Sequence, residues 1–406
     1  MLSRTVSTVP TVQTRRPHLH ALTGLRFFAA LYVVLFHYAR YSLAQGPRWL
    51  KSFNTSGPVA VSLFFILSGL VLTYGSTDAD GRCNKPARQF WYARFTRIYP
   101  LFFLAIIASI PENVALLQHT HSTSNAVVLT GLRSLLAMAL LQAWIPKFAF
   151  VGNGPGWSLS VEAFFYFCFP FLVHRFRTRT LRHLLWVAIP LWLLSMAPPI
   201  VIEIVERHGG LTGAGTDSLF GLSPTPALFF ERLAAQFPIA RLAEFCMGIC
   251  IGHYVIARSD ARAAAPVSTI EATSTERRRL GLAGLISLVP LIVLFAAIGD
   301  LRESNEIMVN SAFAAPLFAF LLVALTLGSG SFVRFLSART MVMLGTASYA
   351  LYIIQDPFYW WFDKIVPHNS RVWWLALFIA AIIAASIACE RWIERPARGR
   401  LLRLRS

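Results

Sequence analysis

The chain has 406 residues, 56% of them hydrophobic and only 14% charged, against about 25% charged in an ordinary soluble domain. With 32 Phe and 11 Trp, that balance excludes both a soluble globular fold and a disordered chain. The formal charge of +18 would suit a nucleic-acid binder. The arginines crowd into alternate loops, however, and no aromatic-plus-basic recognition motif appears, so no nucleic-acid partner is expected.

Residues 1–20 are rich in Ser, Thr and Arg and read as a cytosolic tail leading into an uncleaved first span. Apolar runs at 21–40, 58–76, 98–117, 158–174, 183–202, 233–256, 280–299, 307–327, 342–363 and 371–390 predict about ten spanning helices. The fold class is therefore all-α, a polytopic transmembrane bundle forming one domain over 21–396. A basic cytosolic tail, 397–406, follows it. Placing the N-terminus inside puts most of the basic loops, such as 82–97 and 174–183, on the cytosolic side with both termini. Residues 127–144 are apolar enough to cross, but a crossing there would move every later basic loop outside. A partly inserted segment is expected instead, with Gly131 and Arg133 opposing a full span. The outer loop 203–232 suits a lid or substrate entrance, and 257–279 reads as a flexible cytosolic linker. The five cysteines make neither a metal-ligand pattern nor a disulfide framework, so no metal is expected.

The polar residues inside apolar runs are the informative ones, because a charge in the bilayer is costly and marks a site by default. Arg26 and His37 stand eleven residues apart in ALTGLRFFAALYVVLFHYAR. Eleven helical steps come to about 1,100°, so both share one face about 16 Å apart along the axis. The run GNGPGWSLSVEAFFYF places Glu162 in the outer third of its span, at the expected depth of His37. There it would orient His37 as a general base, with Trp157, Ser158 and Ser160 as hydrogen-bond donors nearby. The plainer alternative for His37 is an interhelical hydrogen bond. In KPARQFWYARFTRIYP, Arg94 and Arg97 lie one turn apart beside aromatics, as suits a phosphorylated ligand, or else a basic headgroup anchor. Arg241 and Glu244, three apart in RLAEFCMGICIGHY, can pair on one helix face in a structural role. Gly248 and Gly252 mark a close helix crossing. Ser348, Tyr349, Gln355 and Asp356 sit in an apolar context, with Asp356 expected at the outer helix end.

Taken in order, LTGLRFFAALYVVLFHY, FFILSGLVLTYG, RFTRIYP, WSLSVEAFFYFCFP, RLAEFCMGICIG, GTASYALYI and the terminal IERP resemble the acyltransferase 3 family of bacterial inner-membrane acyltransferases. The resemblance runs from Leu22 to Pro396. It implies O-acyl transfer, acetyl by default, from cytosolic acyl-CoA to a hydroxyl of a surface or exported carbohydrate or glycolipid. It also implies no permanently bound cofactor and a stand-alone inner-membrane enzyme. His37 and Glu162 would be catalytic, Arg26, Arg94 and Arg97 would hold the donor, and Ser68, Trp157, Ser158, Tyr349 or Gln355 would meet the substrate or the developing oxyanion. Arg241 and Glu244 would support the site. Members often carry His where this chain has Gln355, which can hydrogen-bond but cannot shuttle a proton at neutral pH. The rival class is a transporter or flippase for a lipid-linked sugar, for which intramembrane charges are equally natural. The sequence assigns no oligomeric state.

Overall fold

A computed structural model describes residues 16–404 except 17, 41, 44, 45, 79, 208–225, 267–269, 302–311 and 368–371. Among these the chain is helical throughout, with one isolated bridge between Thr77 and Cys83 and no strand. In chain order the helices are α1 His20–Tyr38, α2 Arg48–Thr55, α3 Val59–Ser76, α4 Ala87–Gln118, α5 Thr123–Met138 and α6 Trp157–Leu172. Next come α7 Leu181–Arg207, α8 Pro226–Gln236, α9 Leu242–Ala263, α10 Ile270–Ile286, α11 Leu288–Leu301 and α12 Ala315–Leu327. The last are α13 Ser331–Leu336, α14 Arg339–Thr346, α15 Ser348–Ile353, α16 Gln355–Ile365, α17 Val372–Cys389 and α18 Arg395–Arg403.

Every expected span coincides at least in part with a helix, but six described helices are both long and apolar enough to cross a membrane. The other runs depart for visible reasons. At 13 residues, α12 is short, and α9 carries charges toward its end. The run 342–363 is broken into α14, α15 and α16, with Ile354 between the last two. The expected span 233–256 is likewise split, α8 ending at Gln236 and α9 starting at Leu242.

Lipid tails are as apolar as leucine, so close backbone approach rather than apolar burial holds such helices together. The α3–α9 crossing shows this. A Cβ on Gly69 would collide with the Phe245 carbonyl, and one on Gly248 with the Ile66 carbonyl. Arg241 and Glu244 close the same interface, as detailed below.

The α5 helix is 16 residues long, about 24 Å, short of the ~30 Å hydrocarbon thickness, and packs back on α4. It stops at Met138, where Leu140 turns the chain at φ 57° and 3-10 turns follow. A largely buried segment, 151–156, then leads into α6, irregular over 151–153 and ending in the 3-10 turn Gly154–Gly156. Non-helical backbone is tolerated in a membrane bundle only where protein satisfies it, and that condition is met. Asn153 Nδ2 donates to the Ile353 carbonyl (2.9 Å), and the Gly154 N–H donates to Asp356 Oδ2 (2.8 Å). Gln142 Nε2 donates to the Gly156 carbonyl (2.8 Å), and Tyr38 donates to Asp356 Oδ1 (2.6 Å). Asp356 is thus a latch between α1, α16 and the start of α6.

The stretch 257–279 differs from the expected flexible linker. It continues α9 to Ala263 and starts α10 at Ile270, with Arg262 bridging Glu276 (3.0 Å) and the Leu327 carbonyl (2.9 Å). Most of the loop expected over 203–232 lies outside the described residues.

Candidate active site

The bundle encloses a cavity of about 90 Å³ between α1, α3, α4, α6 and α15. At 10–15 Å³ per water, that holds about six waters or a narrow chain. Its walls are Arg26 from α1, Arg94, Arg97 and Ile98 from α4, and Ser158, Leu159, Glu162 and Tyr166 from α6, with Ser348, Tyr349 and Tyr352 from α15. Along α3 the lining runs from Val61 to Leu72, eleven steps or about 16 Å. The cavity is therefore long and narrow, with its axis along the bundle. Val61 lies at the same end of the bundle as the last turns of α1, because Gly57 abuts Phe36.

The two ends differ chemically. Arg26, Arg94 and Arg97 share the cavity, yet none of them makes a hydrogen bond or ion pair among the described residues. Arg94 rests over the Phe90 ring (5.7 Å), and its Nε is buried without a partner. Three guanidinium groups within electrostatic range repel one another strongly in a poorly polarisable interior. Such an arrangement binds anions, and the planar forks suit phosphate or carboxylate oxygens. Glu162 lies within electrostatic range of Arg26 without closing on it. Its Oε1 instead accepts hydrogen bonds from Tyr166 (2.5 Å) and Ser68 (3.2 Å). One turn earlier on α6, Ser158 is bonded to the Tyr352 hydroxyl (2.8 Å).

Eight residues singled out from the sequence therefore line one cavity: Arg26, Ser68, Arg94, Arg97, Ser158, Glu162, Ser348 and Tyr349. Three do not. His37 is exposed on the last turn of α1, against Phe36 and Tyr38, and is not part of the lining. The cavity lining thus contains Glu162 and not His37. There the Glu162 Oε1 is held by Tyr166 and Ser68. Trp157 packs edge-on against Phe65 (6.2 Å) rather than lining the cavity. Gln355 is fully buried and donates to the Tyr352 carbonyl (2.8 Å), supporting a wall residue from behind. Arg241 and Glu244 form the expected pair (3.0 Å), with Arg241 also donating to Ser62 (2.8 Å) and lying over Phe65. The reading from sequence passed over Tyr166 and Tyr352. Tyr166 had a signal, standing four residues after Glu162 on one helix face, whereas Tyr352 meets Ser158 only through the fold.

A helical membrane bundle with a buried, cation-lined slot is the class this architecture defines. The family model described as an acyltransferase domain matches residues 19–391, and the chain belongs to that acyltransferase 3 family. Its relatives include the acyltransferase MdmB of Streptomyces mycarofaciens, 32% identical over 57% of this chain and 56% of that protein. The O-acetyltransferase OatA of Staphylococcus aureus is 24% identical over 94% of this chain and 57% of its own. The peptidoglycan O-acetyltransferase OatA of Listeria monocytogenes is 22% identical over 96% of this chain and 57% of its own. The chain thus spans a little over half the length of each of these relatives. No solved structure matches it.

Proposed function

We propose that this chain transfers an acyl group, acetyl in the first instance, from cytosolic acyl-CoA to a hydroxyl of a carbohydrate or glycolipid at the outer side of a bacterial inner membrane. Family membership and the names of the relatives support O-acyl transfer. The observation that carries the donor assignment is the set of three cavity arginines without protein partners. In this reading the chain crosses the membrane about ten times, with both termini cytosolic and residues 127–144 only partly inserted.

The donor's phosphates lie at Arg94 and Arg97, with Arg26 beside the entering arm. The arm follows α3 past Ser68 and Glu162, whose carboxylate accepts an amide N–H from it. The thioester then stands at the Ser158–Tyr352 end, where a hydroxyl can meet the developing oxyanion. His37, near the outer end of α1, takes the proton of the acceptor hydroxyl as general base. The transfer forms the new ester bond and breaks the thioester, and the proton taken by His37 is returned to the departing thiolate, leaving CoA thiol and neutral His37.

The test is acyl-CoA-dependent acylation by detergent-purified protein. Mass spectrometry of envelope glycans from wild-type and deletion cells would supply the acceptor. Thiol release that depends on the acceptor in micelles supports chemistry, because transport needs two compartments. Transport in vesicles with no acyl transfer in either setting would replace this reading with a transporter. His37→Ala should lower kcat about 10²- to 10⁴-fold with the acyl-CoA KM unchanged; a folded variant with full activity would remove His37 from the mechanism.

A further inference from the structure

Two charged residues behind the arginine end play no part in the transfer just described. They flank the boundary drawn from sequence, Glu394 in the terminal IERP and Arg398 in the basic tail 397–406. In the structure α17 continues through a single π turn, Glu390–Glu394, into α18, which packs along α4. Tyr92 donates to the Leu401 carbonyl (2.6 Å), tying α18 to the stretch of α4 that carries Arg94 and Arg97. Arg395 and Glu390 are hydrogen-bonded across the π turn.

Glu394 and Arg398 stand four apart, an order and spacing that ordinarily gives a Glu–Arg pair on a helix. Here neither makes a hydrogen bond or ion pair among the described residues. Glu394 Oε2 and Arg398 Nε are both buried without partners. Their charges act instead on the cavity set: Arg398 on Arg94 and Arg97, and Glu394 on Arg26, Arg97 and Arg398. Single π turns often mark functional positions in otherwise α-helical segments. Arg26, Arg97 and Arg398 all act on Glu394 and none of them closes on it; with Arg94 and Glu162 the set holds four guanidinium groups against two carboxylates. The set keeps a positive excess, as suits a ligand with several phosphates, each monoester contributing about −1.5 to −2.

We propose that Arg398 extends the anion site from the cavity outward along α4 and takes a phosphate at the nucleotide end of the donor. Glu394 is its placeholder, a counter-charge that steadies Arg97 and Arg398 until the anion arrives. This rests on the acyl-CoA reading above and adds to it a subsite built by the C-terminal helix.

The experiment compares acyl-CoA with acyl-pantetheine, which keeps the reacting arm and lacks the nucleotide phosphates, on the full-length protein in detergent. Arg398→Ala should raise the acyl-CoA KM about 10-fold or more, the worth of one charge-assisted hydrogen bond, with kcat and acyl-pantetheine kinetics unchanged. Arg398→Lys should recover part of the loss. Glu394→Gln should lower the acyl-CoA KM several-fold while reducing the melting temperature of the ligand-free protein. An unchanged KM in Arg398→Ala, or an equal loss on acyl-pantetheine, would overturn the subsite while leaving the donor assignment standing. Failure of the wild type to bind or use acyl-CoA would overturn both. Should Arg398→Ala not fold, Arg398→Gln and the lysine variant carry the same comparison.

Discussion

Two arginine–glutamate groups lie inside the same bundle and behave oppositely. Arg241 and Glu244 are closed on each other at 3.0 Å, 4% and 1% exposed, with Ser62 and Phe65 completing the enclosure. Arg26, Arg94 and Arg97 share a cavity with Glu162, yet the carboxylate bonds two hydroxyls and the guanidinium groups bond nothing among the described residues. The first group has its compensation within the protein; the second, on the function proposed above, takes it from a bound anion. Charge inside a membrane protein therefore has to be sorted by partner before it is read as function.

Substitutions should separate the two groups. The largest expected effect is on Arg94→Ala/Arg97→Ala. Each lost charge-assisted hydrogen bond is worth about 1.5–3 kcal/mol, so kcat/KM for acyl-CoA should fall about 10²- to 10⁴-fold. Relief of repulsion should leave the melting temperature unchanged or higher, and a lower one would align this set with the closed pair. Arg241→Ala should do the reverse. Leaving Glu244 buried alone costs about 3–5 kcal/mol of stability, read by denaturation in micelles, with activity per folded molecule retained. Replacing both, Arg241→Met with Glu244→Leu, should restore most of that stability; no recovery would give the pair more than a structural role. Glu162→Gln should cost about 10- to 100-fold in kcat/KM by weakening the hydrogen bonds at mid-cavity. The smallest effect is expected for Ser158→Ala, which removes one neutral hydrogen bond of about 0.5–1.5 kcal/mol. Its loss of rate should stay within about 10-fold.

The helices were readable from the sequence because apolar length and loop charge are local properties. So was the arginine set, since the R-x-x-R spacing on α4 and the lone Arg26 on α1 both stand out against apolar neighbours. The Arg241–Glu244 pair was readable for the same reason, its partners being three residues apart. What local sequence does not reveal is which distant residues close round a segment. The GNGP segment looks like an outer loop by composition, but Asp356, Ile353 and Gln142 satisfy its backbone and side chains inside the bundle. Tyr38, beside His37, shares Asp356 with that segment, while Glu162 lies further along α6 among the cavity residues. The break between α15 and α16 was hidden in the same way, because the residues facing it lie some 200 positions earlier. Arg398 reads as tail, and Glu394 only as part of the terminal IERP, because nothing local reveals that α18 lies against α4.

The central claim is that the cavity arginines are open because a phosphorylated acyl donor closes them. A cryo-electron microscopy structure of the purified protein with CoA tests it directly. The account predicts phosphate oxygens within about 3 Å of the Arg94 and Arg97 guanidinium groups and the pantetheine arm along α3 toward Ser158. CoA bound elsewhere, or Arg94 and Arg97 paired with protein carboxylates in its presence, would contradict it.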